Sequence, residues 1–145
     1  MKRILCLMLI CCLLALTFTG CRVPNSLTLD LSRGTGDHLK LLHLNAATNA
    51  NEQRIIAFGS VFAGAEPTEK EITRYGYFPE YLLEIRGASL DAENGFTLNV
   101  GSGNIKVYVD LTGSVLEFSF PDGEDRTVYL AKTTAEDFME LINQV

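Results

Sequence analysis

Residues 81–131 read YLLEIRGASLDAENGFTLNVGSGNIKVYVDLTGSVLEFSFPDGEDRTVYLA, and this stretch decides the fold. Tyr81, Leu83 and Ile85 alternate with Leu82, Glu84 and Arg86, the period of a strand with one face in a core. A loop at 87–95 leads to Phe96, Leu98 and Val100. Gly101-Ser-Gly-Asn104 reads as a tight hairpin into Ile105, Val107 and Val109. A turn at 110–114 precedes Leu116, Phe118 and Phe120. A loop at 121–125 then leads to a last strand at 127–131. Short alternating runs punctuated by Gly, Pro, Asn and Asp predict an antiparallel meander.

Working outward, Leu27, Leu29 and Leu31 alternate with Thr28, Asp30 and Ser32. The turn Arg33-Gly-Thr-Gly36 joins them to a second strand at 37–44, a hairpin. Residues 49–63 read as a helix, with Asn49 as cap and Glu52 three residues on. Ile55, Phe58 and Phe62, flanked by Ile56 and Val61, form its apolar face, and Pro67 closes the region. Residues 66–78 are polar with aromatics and read as irregular or a short helical turn. The chain ends in a helix capped by Thr133 with Glu136 or by Thr134 with Asp137, which turns Phe138, Leu141, Ile142 and Val145 to one side. The expected class is α+β: a twisted antiparallel sheet with one internal and one C-terminal helix on one face.

The first residues carry a different message. Lys2 and Arg3 precede an apolar run at 4–18, broken only by Thr17, and Thr19-Gly20 follows, which together read as a secretory signal. The run is shorter than the roughly 20 apolar residues a membrane span needs. The four cysteines are Cys6, Cys11, Cys12 and Cys21, three of them inside that run. A processed chain would keep at most Cys21, so no intrachain disulfide is expected. The predicted organisation is a signal peptide at 1–20, a lipidated cysteine and tether at 21–26, and one domain at 27–145.

Removing residues 1–20 takes away two basic residues and no acidic one, so 12 basic become 10 against 18 acidic, a net charge of −8. That balance disfavours nucleic acid, whose binding draws on Lys and Arg at phosphates. A domain of this length buries about two thirds of its unfolded surface and needs no disulfide or metal to fold.

Motifs for chemistry are weak. His38 and His43 lie five apart on one expected strand and point to opposite faces, and no metal-ligand spacing accompanies them. The Gly101–Asn104 loop leads into a strand, not into the helix a phosphate loop requires. Asp122, Glu124 and Asp125 lack the ligand series of a calcium loop. No Gly-x-Ser-x-Gly elbow is present, and Glu80 with Glu84 reads as an exposed pair. No catalytic residue, metal or cofactor is therefore assigned. One segment stands out, Arg74-Tyr-Gly-Tyr-Phe-Pro-Glu-Tyr81. Tyr75, Tyr77, Phe78 and Tyr81 are candidate contacts for a partner, since aromatics carry much interface energy. The alternative is packing, with Phe78 and Tyr81 in the core.

Phe18-Thr-Gly-Cys21 resembles a lipobox, with small Gly20 before the cysteine and Phe18 where Leu is preferred. With the early strands, the helix around 55–62, Phe78-Pro-Glu-Tyr-Leu-Leu-Glu-Ile85 and Thr133-Thr-Ala-Glu-Asp-Phe-Met-Glu-Leu141, the chain resembles small lipoproteins of Gram-positive, clostridia-like bacteria. The resemblance implies location and architecture, and no activity. It implies anchoring at the extracytoplasmic face of the cell membrane through lipid on Cys21. The expected function is non-enzymatic binding of an envelope protein, peptide or glycan. The alternatives are a small cell-wall or peptide hydrolase, and an accessory or immunity-type lipoprotein that neutralises a partner.

Overall fold

A computed structural model describes residues 27–36, 39–73, 77–121 and 125–144. Seven strands, β1 (Thr28–Arg33), β2 (Lys40–Asn45), β3 (Glu66–Thr73), β4 (Tyr81–Asp91), β5 (Thr97–Thr112), β6 (Val115–Ser119) and β7 (Asp125–Thr134), make one sheet. Its order is β2-β1-β4-β5-β6-β7-β3, with every pair antiparallel. The expected meander is its central part, β4 to β7. The β1–β2 hairpin flanks it on one side, and β3 closes the other edge. Two helices, α1 (Asn49–Ser60) and α2 (Ala135–Asn143), complete the α+β fold.

Strand alternation sorts the side chains into two faces. Leu29, Leu31, Leu83, Ile85, Val107, Val109, Leu116 and Phe118 are all buried on one face. Both helices cover it. Phe58 of α1 meets the ring of Phe138 of α2 edge-on, with centroids 5.9 Å apart. Phe62 lies 4.7 Å from Phe118 of the sheet. Asp30, Glu84, Lys106, Tyr108, Asp110 and Glu117 stand on the opposite face, in register across β1, β4, β5 and β6. The apolar face binds the helices, and the polar face is left for solvent or a partner.

The cap of α2 resolves to the second of its two expected forms. Thr134 accepts from the Asp137 amide at 3.1 Å, and Asp137 accepts from Thr134 in return. At α1 the cap is Thr48, not Asn49, because its hydroxyl oxygen accepts from the Asn51 amide at 3.2 Å. The helix stops at Ser60, and 61–64 form a turn.

Three expectations are corrected by pairing that local sequence does not display. Residues 66–73, read as irregular, form the edge strand β3 against β7. Its run Glu-Pro-Thr-Glu-Lys-Glu lacks apolar alternation because an edge strand is kept charged and proline-broken against further pairing. The expected 87–95 loop shrinks to 92–96, since β4 runs on to Asp91 past Gly87, where φ is +79° and the register to β5 shifts. The expected hairpin at 101–104 lies inside the sixteen-residue β5. Arg86 pairs with Asn104 and Ala88 with Val100, so Gly101, Ser102 and Gly103 all stand across from Gly87. A side chain on Gly103 would lie 2.7 Å from the Ala88 carbonyl oxygen. The glycine signals a close backbone approach rather than a turn.

Candidate functional site

The link from β3 to β4 must travel from the sheet edge back to its middle, and its described part, Tyr77 to Glu80, lies over the polar face. Asp110 of β5 fastens it there. Its carboxylate accepts from the Tyr77 hydroxyl and, at 2.9 Å, from the Glu80 amide. Glu80 accepts in turn from the Leu111 amide at 2.9 Å. The Tyr77 ring stands edge-on to Tyr108, 6.0 Å between centroids.

Beside this fastening a cleft of about 410 Å3 opens between the link and the β5–β6–β7–β3 half of the sheet. Tyr77, Glu80, Asp110, Glu117 and Lys70 line it, with Val128 at its base. Lys70 of β3 and Glu117 of β6 are ion-paired at 2.7 Å across the cleft. The cleft presents three carboxylates to one ammonium, and every carboxylate already accepts from a neighbour. Such a surface suits ligands rich in N–H donors or positive charge.

The four aromatic candidates part company. Tyr77 lines the cleft. Phe78 is 83% exposed, the most exposed large apolar side chain described. Tyr81 is only 6% exposed and packs on Phe138 with its hydroxyl toward Met139 sulfur, so its ring belongs to the core. Alternation had signalled this, because Tyr81 shares its face with Leu83 and Ile85. Tyr75 lies outside the described residues, as do Cys21 and His38.

The other half of the polar face carries charge in pairs. Asp30 of β1 accepts from Lys40 at 2.8 Å and from His43 Nδ1 at 2.6 Å, with Arg86 4.0 Å away. Burial opposes ionisation of Asp30, but hydrogen bonds from Lys40 and His43, and their charge, hold its carboxyl below the usual carboxylate range. His43 beside a carboxylate is half of a hydrolytic dyad. Yet the carboxylate is shared with Lys40, and among the described residues no hydroxyl hydrogen-bonds to the imidazole. Among the described residues no three of His, Cys, Asp and Glu converge as a metal site. Nor is any described helix long and apolar enough to cross a membrane.

A second concavity of about 390 Å3 opens where β6 leaves β5, walled by Phe96, Phe120 and Tyr129. Reading the sequence missed it, because it assigned these rings to separate strands of a closed meander.

Fold and site together define a class, a single-layer antiparallel sheet backed by two helices with its polar face partly roofed by a loop. No protein-family model, curated protein or solved structure matches the chain.

Proposed function

We propose that this chain is a lipid-anchored, extracytoplasmic lipoprotein that works as a non-enzymatic binding module for an envelope protein, peptide or glycan. The observation that carries the reading is the cleft at Tyr77, open on the sheet face that the helices leave uncovered. Its groups are tied to one another rather than arranged around a nucleophile. Cys21 stands six residues before Leu27, so a lipid there would hold the domain within about 20 Å of the bilayer surface. A diacylglyceryl group brings two chains, enough for stable anchoring. The exposed Phe78 ring next to the cleft adds apolar contact area.

Intact mass of the protein from native membranes, beside a Cys21→Ser variant, tests the anchor. Cleavage before Cys21 with an added diacylglyceryl group, absent from the variant, is the expected result. An unmodified chain would remove the anchor from the reading. A photo-crosslinking residue at position 78 tests the binding face in the same membranes. A discrete crosslinked partner, lost on Tyr77→Ser, is expected, and no crosslink at all would count against this cleft. The hydrolase reading draws on the His43–Asp30 contact alone, and a His43→Gln variant that loses peptide- or wall-cleaving activity would revive it.

A further inference from the structure

The sheet splits between β5 and the β6–β7 hairpin, and the split has the parts of a peptide site. The two-residue turn Gly113-Ser114 joins β5 to β6, with Thr112 paired to Val115. In such a hairpin the flanking pair exchanges both backbone hydrogen bonds, and so does every second residue along the ladder. Thr112, Asp110 and Tyr108 therefore turn their N–H and C=O toward β6, where Val115, Glu117 and Ser119 meet them. Lys106 comes next in that series, and the same register, if continued, would set it opposite Pro121. Proline has no N–H to give. Pairing ends at Tyr108 with Ser119, so residues 97–107 of β5 have no strand partner on that side among the described residues.

The second concavity opens beside this unpaired edge, lined by Phe96, Phe120, Tyr129, Leu90, Ile105 and Lys106. The three rings are set by mutual contact, with Phe96 4.8 Å from Tyr129 and 5.8 Å from Phe120 between centroids. Phe96 holds φ at +60°, an uncommon backbone state for a residue with a bulky side chain. Lys106 is the only charged residue in the lining; it is exposed and in no ion pair among the described residues.

We propose that this split binds an extended peptide as a short added strand along residues 104–106. An aromatic or branched apolar side chain of the peptide fills the ring-walled pocket, and an acidic residue of the peptide pairs with Lys106. Main-chain hydrogen bonds to a free strand edge supply affinity, and the pocket supplies selectivity. The carboxylate complements Lys106, which no described residue pairs, a charge-assisted contact stronger than a neutral one. This site is separate from the Tyr77 cleft and does not rest on the function proposed for it.

Panning a random heptapeptide library against the immobilised full chain in detergent tests the proposal. Enriched peptides should combine an aromatic or branched apolar residue with Asp or Glu. Their affinity should fall about tenfold in Lys106→Glu, the size expected for one lost charged contact. Panning against Lys106→Glu should exchange the acidic residue for a basic one. That variant changes an exposed side chain, so folding is preserved, and Phe120→Ala, checked by melting, should weaken binding as well. The proposal is overturned by no enrichment over an uncoated surface, or by peptides that bind Lys106→Glu unchanged. It is equally overturned if binding is lost in Tyr77→Ser and kept in Phe120→Ala, which would move the peptide to the cleft.

Discussion

Arg54 of α1 donates from Nη2 to the Leu141 carbonyl oxygen of α2 at 2.9 Å, and to that of Ile142 at 3.2 Å. The last carbonyls of a helix have no partner within it, and α2 has no basic residue of its own in its last turn. One helix thus supplies the positive charge that the C-terminal end of the other favours. Replacing Arg54 by Met keeps the stem and removes the donors. It should cost about 1.5–3 kcal/mol, the range for hydrogen bonds that involve a charged group. Urea unfolding checks this, and an unchanged midpoint would show that the contact contributes nothing.

Gly103→Ala should be among the more damaging small substitutions in the sheet. The residue sits at φ +125° with the Ala88 carbonyl oxygen 2.7 Å from where a Cβ would fall, and that oxygen belongs to backbone that is held in register on both sides. A loss of about 2 kcal/mol or more is expected from strain at a glycine-only position. Thermal melting of the variant reads it.

Phe118→Ala and Phe78→Ser form a contrasting pair. Phe118 is fully buried against Phe62, Phe96 and Tyr129, so its truncation should cost about 3–5 kcal/mol. Phe78 is exposed, and its loss should change stability by less than about 0.5 kcal/mol. Equal destabilisation by the two would contradict a buried Phe118 and an exposed Phe78.

Asp30 gives the fold an acid limit. Its carboxyl ionises more readily in the folded protein than in the unfolded chain, whose value is near 3.8. The stabilisation is therefore complete above that value and is lost as pH falls through the lower folded one. Asp30→Asn should be less stable than the wild type at neutral pH, with the gap narrowing on acidification below the unfolded value. Denaturation midpoints taken from pH 6 down to pH 2 decide it, and a gap that widens toward low pH would reverse the assignment.

Tyr77→Phe should loosen the link over the polar face while sparing the core. It removes the hydroxyl held by Asp110, a loss of about 1 kcal/mol at a half-exposed site. Faster proteolytic cutting near residues 77–80, with little change in global unfolding, is the expected signature.

The parts legible in the sequence were those governed by local rules. Alternation placed Leu29, Leu83, Val107 and Phe118 on one face, because successive strand residues point opposite ways whatever lies beyond them. Helical spacing found Phe58 and Phe138, and the Thr134–Asp137 cap is a matter of adjacent residues. The signal-like start and Cys21 are linear features too, and they lie outside the described residues.

Tertiary structure alone decided what depends on partners distant in the chain. The charged run of β3 became a strand because β7 offered it an edge. Gly101-Ser-Gly103 became the interior of β5 rather than a turn because β4 continued alongside. Tyr77 and Tyr81, four residues apart, went to a cleft and to the core, since one lies in the link tied to Asp110 and the other opens a strand opposite Val109. The aromatic pocket exists because Pro121 cannot continue the ladder beyond Ser119, letting β6 part from β5. A strand's pattern records which face it buries. Its neighbours, and the gaps between them, are set by hydrogen bonds to backbone far away in sequence, and backbone carries no side-chain signature.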